Sequence, residues 1–151
     1  MIKELGFLQE ATIRILAEDT SWGLRLGTDT PCMGLLGISI LLELRTETFE
    51  KHILYDAQTG AAPILHNLKV LGTSLDNVST IFLSHCHFDH TGGLAAVLEE
   101  IEPPIPVVCH PEIFRPCFEI NPDGITHIGI VGYSREDPER RGAIFTETRE
   151  P

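Results

Sequence analysis

The chain reads as short apolar runs broken by Gly, Pro and Asp, with two periods alternating along it. Thr12 to Ala17, Gly37 to Leu44, His52 to Asp56, Val78 to Ser84, Ile105 to Cys109, Ile125 to Val131 and Ala143 to Thr146 are short and rich in β-branched and aliphatic residues, which predicts strands. Ala61 to Leu71 instead sets Ile64, Leu65, Leu68 and Leu71 at helical spacing, and Thr91 to Ile101 does the same with Leu94, Val97, Leu98 and Ile101. Pro103 and Pro104 stop the second helix. Pro111 suits the opening of a short helix, and Asp137 before Pro138 predicts another, with Asp137 as its N-cap and Gly142 closing it. The segment Asp19 to Gly34 is polar and rich in Gly, Thr and Pro, a loop of about 16 residues and long enough to border a site. Trp22 either touches a substrate there or plugs the loop onto the core. The pattern is that of one α/β domain over residues 1–151, without repeats or internal linkers.

Composition narrows the partners. A net charge of −11, from 22 acidic and 11 basic residues with no Lys/Arg cluster, excludes a nucleic-acid backbone as partner. The apolar run Leu35 to Leu42 falls far short of the roughly 20 residues of a membrane helix, and the N-terminus lacks a basic stretch followed by an apolar core. A soluble cytoplasmic protein acting on a small molecule is expected. Cys32, Cys86, Cys109 and Cys117 show no paired close spacing, which suits reduced thiols. His66 lies off its helix's apolar stripe and is expected in solvent; His127 is expected to be half-buried on a strand.

The chemistry gathers in Ile81-Phe-Leu-Ser-His-Cys-His-Phe-Asp-His-Thr-Gly-Gly93, an apolar strand that ends in His85, His87, Asp89 and His90. On extended backbone His85 and His87 point to one side and can grip one ion, while Cys86 points the other way into packing. Asp89 and His90, where the chain turns, offer a carboxylate and an imidazole to a second ion; the alternative for Asp89 is a helix N-cap. Imidazole and carboxylate suit zinc, with iron or manganese as alternatives. Gly92 and Gly93 allow backbone to pass close by.

At these residues the sequence resembles the metallo-β-lactamase superfamily, whose signature is His-x-His-x-Asp-His at a strand end. Ile13 to Thr20, Leu54 to Gly60 and His110 to Arg115 are similar to one branch, metal-dependent hydrolases named as dihydropterin-ribofuranosyl-aminobenzene phosphate synthases. The resemblance implies the αββα sandwich fold, here its N-terminal half: one mixed β-sheet with flanking helices. It implies a metal-dependent hydrolase that activates water on one or two ions to cleave an ester, phosphoester or related bond, with Asp89 orienting the water or moving its proton. Asp56 matches a family aspartate beneath the metals, which accepts a hydrogen bond from a ligand imidazole; a plain turn-forming role is the alternative. His110 is a candidate for substrate contact or for structural capping, and Arg115 for anion binding or for a solvated helix position.

Two departures accompany the resemblance. Leu35 and Leu36 stand where the family has polar residues including a histidine, and the further ligands of the family's later half have no counterpart here. The chain is therefore expected to be a truncated domain, weakly active alone, prone to self-association or to pairing with a C-terminal half. The rival expectation is a catalytically inactive metal-binding or partner-binding module, or an inert remnant that binds no metal.

Overall fold

A computed structural model describes residues 7–19 and 30–149; Trp22 and most of the Asp19–Gly34 loop lie outside the described residues. In chain order the elements are β1 (Glu10–Ala17), β2 (Ser39–Arg45), β3 (Glu50–Tyr55), α1 (Ala61–Leu71), β4 (Val78–Phe82), α2 (Phe88–Thr91), α3 (Leu94–Glu99), β5 (Ile105–Cys109), β6 (Phe118–Asn121), β7 (Gly124–His127), α4 (Glu136–Arg140) and β8 (Ala143–Glu147). Six strands form one mixed sheet in the order β1-β2-β3-β4-β5-β8. The first three are antiparallel, and β3, β4, β5 and β8 run parallel. The β2–β3 turn is closed by Thr46, whose hydroxyl accepts the N–H groups of Thr48 and Phe49.

Alternation along each strand sends one set of side chains to the helices. Leu41, Leu54, Ile81 and Val107 lie side by side in register and are fully buried against Ile64, Leu68, Leu94 and Val97 of α1 and α3. The other set, including Ile13, Ile15, Phe82 and Ile144, stays exposed. The parallel strands β3, β4 and β5 end side by side, and a β/α sheet places its chemistry at such carboxyl ends. Among the described residues no helix is long and apolar enough to cross a membrane.

Several local expectations are corrected. The helix expected over Thr91 to Ile101 is two pieces, α2 and α3, separated by Gly92 and Gly93. After Pro111 the chain makes tight turns instead of a helix, with Ile113 and Arg115 N–H groups donating to the carbonyls of His110 and Glu112. The strand expected over Ile125 to Val131 is shorter and pairs in a hairpin with β6, where His127 is exposed and edge-on to Phe118 at 5.0 Å. Helix α4 starts before Asp137, whose carboxylate instead accepts the Ser134 N–H. His66 is half-buried, its Nε2 3.0 Å from the Pro31 carbonyl.

Candidate metal centre

Two strand ends and one short helix bring the polar residues together. Asp56 follows β3 and is fully buried, with φ of +56°, a left-handed conformation that aspartate tolerates better than most residues. Ser84 and His85 follow β4 by two and three positions, and α2 carries Asp89 and His90. The loop after β3 and the turn after α2 are zipped together: Ala57 N–H donates to His90 O at 2.8 Å and Gly93 N–H to Gln58 O at 3.1 Å. Glycine is required for this approach, since a Cβ on Gly92 would stand 2.2 Å from the Thr59 carbonyl oxygen and one on Gly93 2.2 Å from that of Ala57.

The hydrogen bonds fix where the protons are. Asp56, a carboxylate, can only accept. Its Oδ1 takes the Ser84 N–H at 2.8 Å, and its Oδ2 takes the Ser84 hydroxyl at 2.7 Å and the His90 Nδ1–H at 2.7 Å. With its proton given to Asp56, the Ser84 hydroxyl is an acceptor toward His85 Nδ1 at 2.8 Å, so His85 also carries its proton on Nδ1. Both rings thus keep a lone pair on Nε2, the protonation that a metal ligand needs. Burial first, and then the neighbouring His90 and His87 rings, hold His85 below the usual histidine pKa, which favours the neutral ring. Ser84, which connects the whole set, was not singled out from sequence; the only signal was a hydroxyl at the strand end beside the histidines.

The candidate donors are close. The His85 ring centroid is 4.0 Å from that of His90 and 4.5 Å from that of His87. His90 Nε2 lies 3.4 Å from Asp89 Oδ2, close to the roughly 3.3 Å edge of a tetrahedron with ligand bonds of about 2.0–2.1 Å. Yet no group of three or more His, Cys, Asp or Glu among the described residues is arranged to hold a metal ion. His90 stands between His85 and Asp89, with His87 beside His85. Imidazole and carboxylate donors with oriented protons fit a divalent ion in kind, while the number of ligands per ion falls short of a closed site.

Beside this cluster is a cavity of about 290 Å³ lined by Ser84, His85, Cys86, His110, Glu112, Ile113 and Arg115. His110 and Arg115 therefore share a cavity with His85. Cys86 is buried, and its thiol contacts the Cys117 thiol and Arg115, a proximity that sequence spacing did not reveal. Gln58 and Thr59 side chains donate to the carbonyls of Leu35 and Leu36, and Gly37 packs so closely on Asp89 that a Cβ would meet its carbonyl oxygen at 1.7 Å.

Comparison with known proteins places this arrangement. The family described as the metallo-beta-lactamase superfamily matches residues 39–141, a span containing β2 through α4 and every residue of the cluster. The chain belongs to the metallo-beta-lactamase superfamily. It is 35% identical, over all of its length and 50% of the relative's, to the 7,8-dihydropterin-6-methyl-4-(beta-D-ribofuranosyl)-aminobenzene-5'-phosphate synthase of Methanocaldococcus jannaschii. It thus spans about half the length of that curated relative. A solved metal-dependent hydrolase of the beta-lactamase superfamily superposes with a TM-score of 0.58 over 91% of this chain and 42% of the other, at 20% identity, a likeness of fold. The superfamily fold, one mixed sheet with flanking helices, is the one expected from the sequence, and its members generally bind divalent metals.

Proposed function

We propose that the chain provides one side of the metal centre of a hydrolase, with His85 and His87 directed to one ion and Asp89 and His90 to a second. The observation that carries this reading is the proton chain Asp56–Ser84–His85 and Asp56–His90, which leaves two close imidazoles with Nε2 lone pairs. Such buried orientation has little purpose for a solvated histidine loop. Zinc suits these donors best, with iron or manganese as alternatives. A bound divalent ion supplies Lewis-acid polarisation of the substrate and a lowered pKa for water. The chain's own residues do the rest: Asp56 and Ser84 hold the rings in register, and Asp89 accepts the proton of the attacking water and returns it to the leaving group. The bond cleaved is an ester, phosphoester or related bond of a small molecule, and the name of the Methanocaldococcus jannaschii relative supports a substrate related to phosphorylated pterin precursors. Pairs of donors where a catalytic zinc usually takes three from protein support partial activity for this chain alone, and a metal- or partner-binding module is the second reading.

The test is metal content after reconstitution with Zn²⁺, Fe²⁺ or Mn²⁺, followed by turnover of generic phosphodiester, thioester and lactam substrates. Metal at or above one equivalent, lost in the His85→Ala, His87→Ala double variant, supports the centre. Content below about a tenth of an equivalent, or unchanged in the double variant, removes it. Metal without turnover selects the second reading.

A further inference from the structure

The cavity beside His85 has a mostly apolar lining, to which His110, Glu112 and Arg115 add polar groups that metal ligation does not use. His110 accepts the Glu112 N–H at its Nδ1, 3.1 Å away, so in the neutral ring the proton sits on Nε2 and that nitrogen is a donor. Arg115 has donors only; it reaches the Cys86 thiol and, at 3.3 Å, Glu112 Oε2. Apart from Glu112, the side chains that His110 and Arg115 add to this lining offer N–H groups. Glu112 sits on an exposed turn, its side chain 51% accessible, and a single long contact ties it to the guanidinium. Such an exposed pair is weak and easily exchanged.

We infer that this cavity receives the anionic, phosphate-bearing end of the substrate, with His110 and Arg115 as its clamp and Glu112 giving up the guanidinium to it. The inference deepens the proposed function, on which the word substrate rests. Three observations lead here. The volume, about 290 Å³, holds a phosphate group and part of what it is attached to. Ser84 and His85 line the same cavity, so a group anchored there presents the rest of its molecule to the metal cluster. The chain's net charge of −11 repels anions at long range, so binding here depends on local donors, which these two side chains supply. Phosphate is favoured over carboxylate by competition: a dianion can displace the Glu112 carboxylate from Arg115, whereas a monocarboxylate only matches it.

The experiment is calorimetric titration of the full chain, chelator-treated and dialysed free of metal, with phenyl phosphate and, separately, benzoate at fixed ionic strength. Phenyl phosphate is expected to bind more tightly than benzoate, to weaken about tenfold in Arg115→Met and also in His110→Phe, and to tighten in Glu112→Gln, where the competitor is gone. Circular dichroism checks that each variant is folded. Absence of phenyl phosphate binding at millimolar concentration, equal binding of benzoate, or an affinity untouched by both Arg115→Met and Glu112→Gln overturns the inference. With metal removed, failure of the hydrolase reading leaves this result unaffected, and the converse also holds.

Discussion

Asp56 governs the candidate centre through three contacts made by one carboxylate, each with a donor and none replaceable by a group that also donates. Asp56→Ala is expected to weaken metal retention by roughly 10- to 100-fold while the sheet stays folded, since ligand orientation and not the fold depends on it. Asp56→Asn should do nearly as much harm despite its identical shape. Its amide presents an NH₂ either to the Ser84 N–H or to the Ser84 hydroxyl and His90 Nδ1–H, and donor meets donor in both orientations. Competition with a chelator measures both variants; wild-type affinity in Asp56→Asn would show that Asp56 is a turn residue only. The metal-ligand types could be picked out in the sequence because His and Asp at that spacing carry chemistry by themselves, whereas Asp56 stood out only through the family resemblance. Ser84 could not be picked out, because its partner Asp56 is 28 positions away and only the parallel pairing of β3 with β4 makes them neighbours.

The elements differ in how plainly they were written. Helix α1 has the bounds its periodicity predicts, Ala61 to Leu71, and Gly72 ends it in the left-handed region at φ of +66°. Part of β7 lies inside the strand expected over Ile125 to Val131, whereas β6 was not expected: Phe118-Glu119-Ile120-Asn121 alternates, but over only four residues, and every residue of the β6–β7 hairpin is exposed. Its root is nonetheless tied to the motif, with Phe88 N–H donating to Ile128 O and the Tyr133 hydroxyl to Thr91 O at 2.7 Å. Burial pushes the Tyr133 hydroxyl up to about 12, above its ordinary value of about 10. Because the folded value is the higher one, the stability linked to this group is intact below about pH 10 and is lost as pH rises through about 12. Tyr133→Phe is expected to cost about 1 kcal/mol at neutral pH and to flatten the alkaline loss, read from denaturant unfolding at pH 8 and pH 11. An alkaline slope equal to that of the wild type would refute this. The break between α2 and α3 yields a harsher case: Gly93→Ala forces a Cβ onto the Ala57 carbonyl, and a shift of the His90 turn should cost about 1–3 kcal/mol along with metal retention. Thermal unfolding and chelator competition check it together, and wild-type values in both would show that the turn accommodates the methyl.

At the scale of the whole molecule, the helices cover one face of the sheet and leave the other in the open. On that face Ile15, Ile40, Tyr55, Phe82 and Val108 stand in one cross-strand row through five neighbouring strands, and Tyr55 stacks on Phe82 at 5.4 Å. Ile13, Leu42 and Ile53 form a second row beside it, and Ile13, Ile15, Phe82 and Ile144 are all exposed. An apolar surface of this extent is uncommon on a monomer and promotes association. The net charge of −11 on each copy works against it, because two copies brought together repel. Attraction through apolar area is insensitive to modest salt, whereas the repulsion is screened over about 10 Å at 0.1 M salt. The isolated chain is therefore expected to self-associate more strongly as salt is raised from low to physiological concentration, the reverse of an assembly held by ion pairs. Phe82→Glu, which puts a charge in the middle of the row, should keep it monomeric at all salt concentrations while leaving metal content unchanged, since Phe82 faces away from the helix-covered side and precedes Ser84. Light scattering across a salt series decides: a wild-type chain that stays monomeric throughout, or association that weakens with salt, would show that the open face is not what drives assembly.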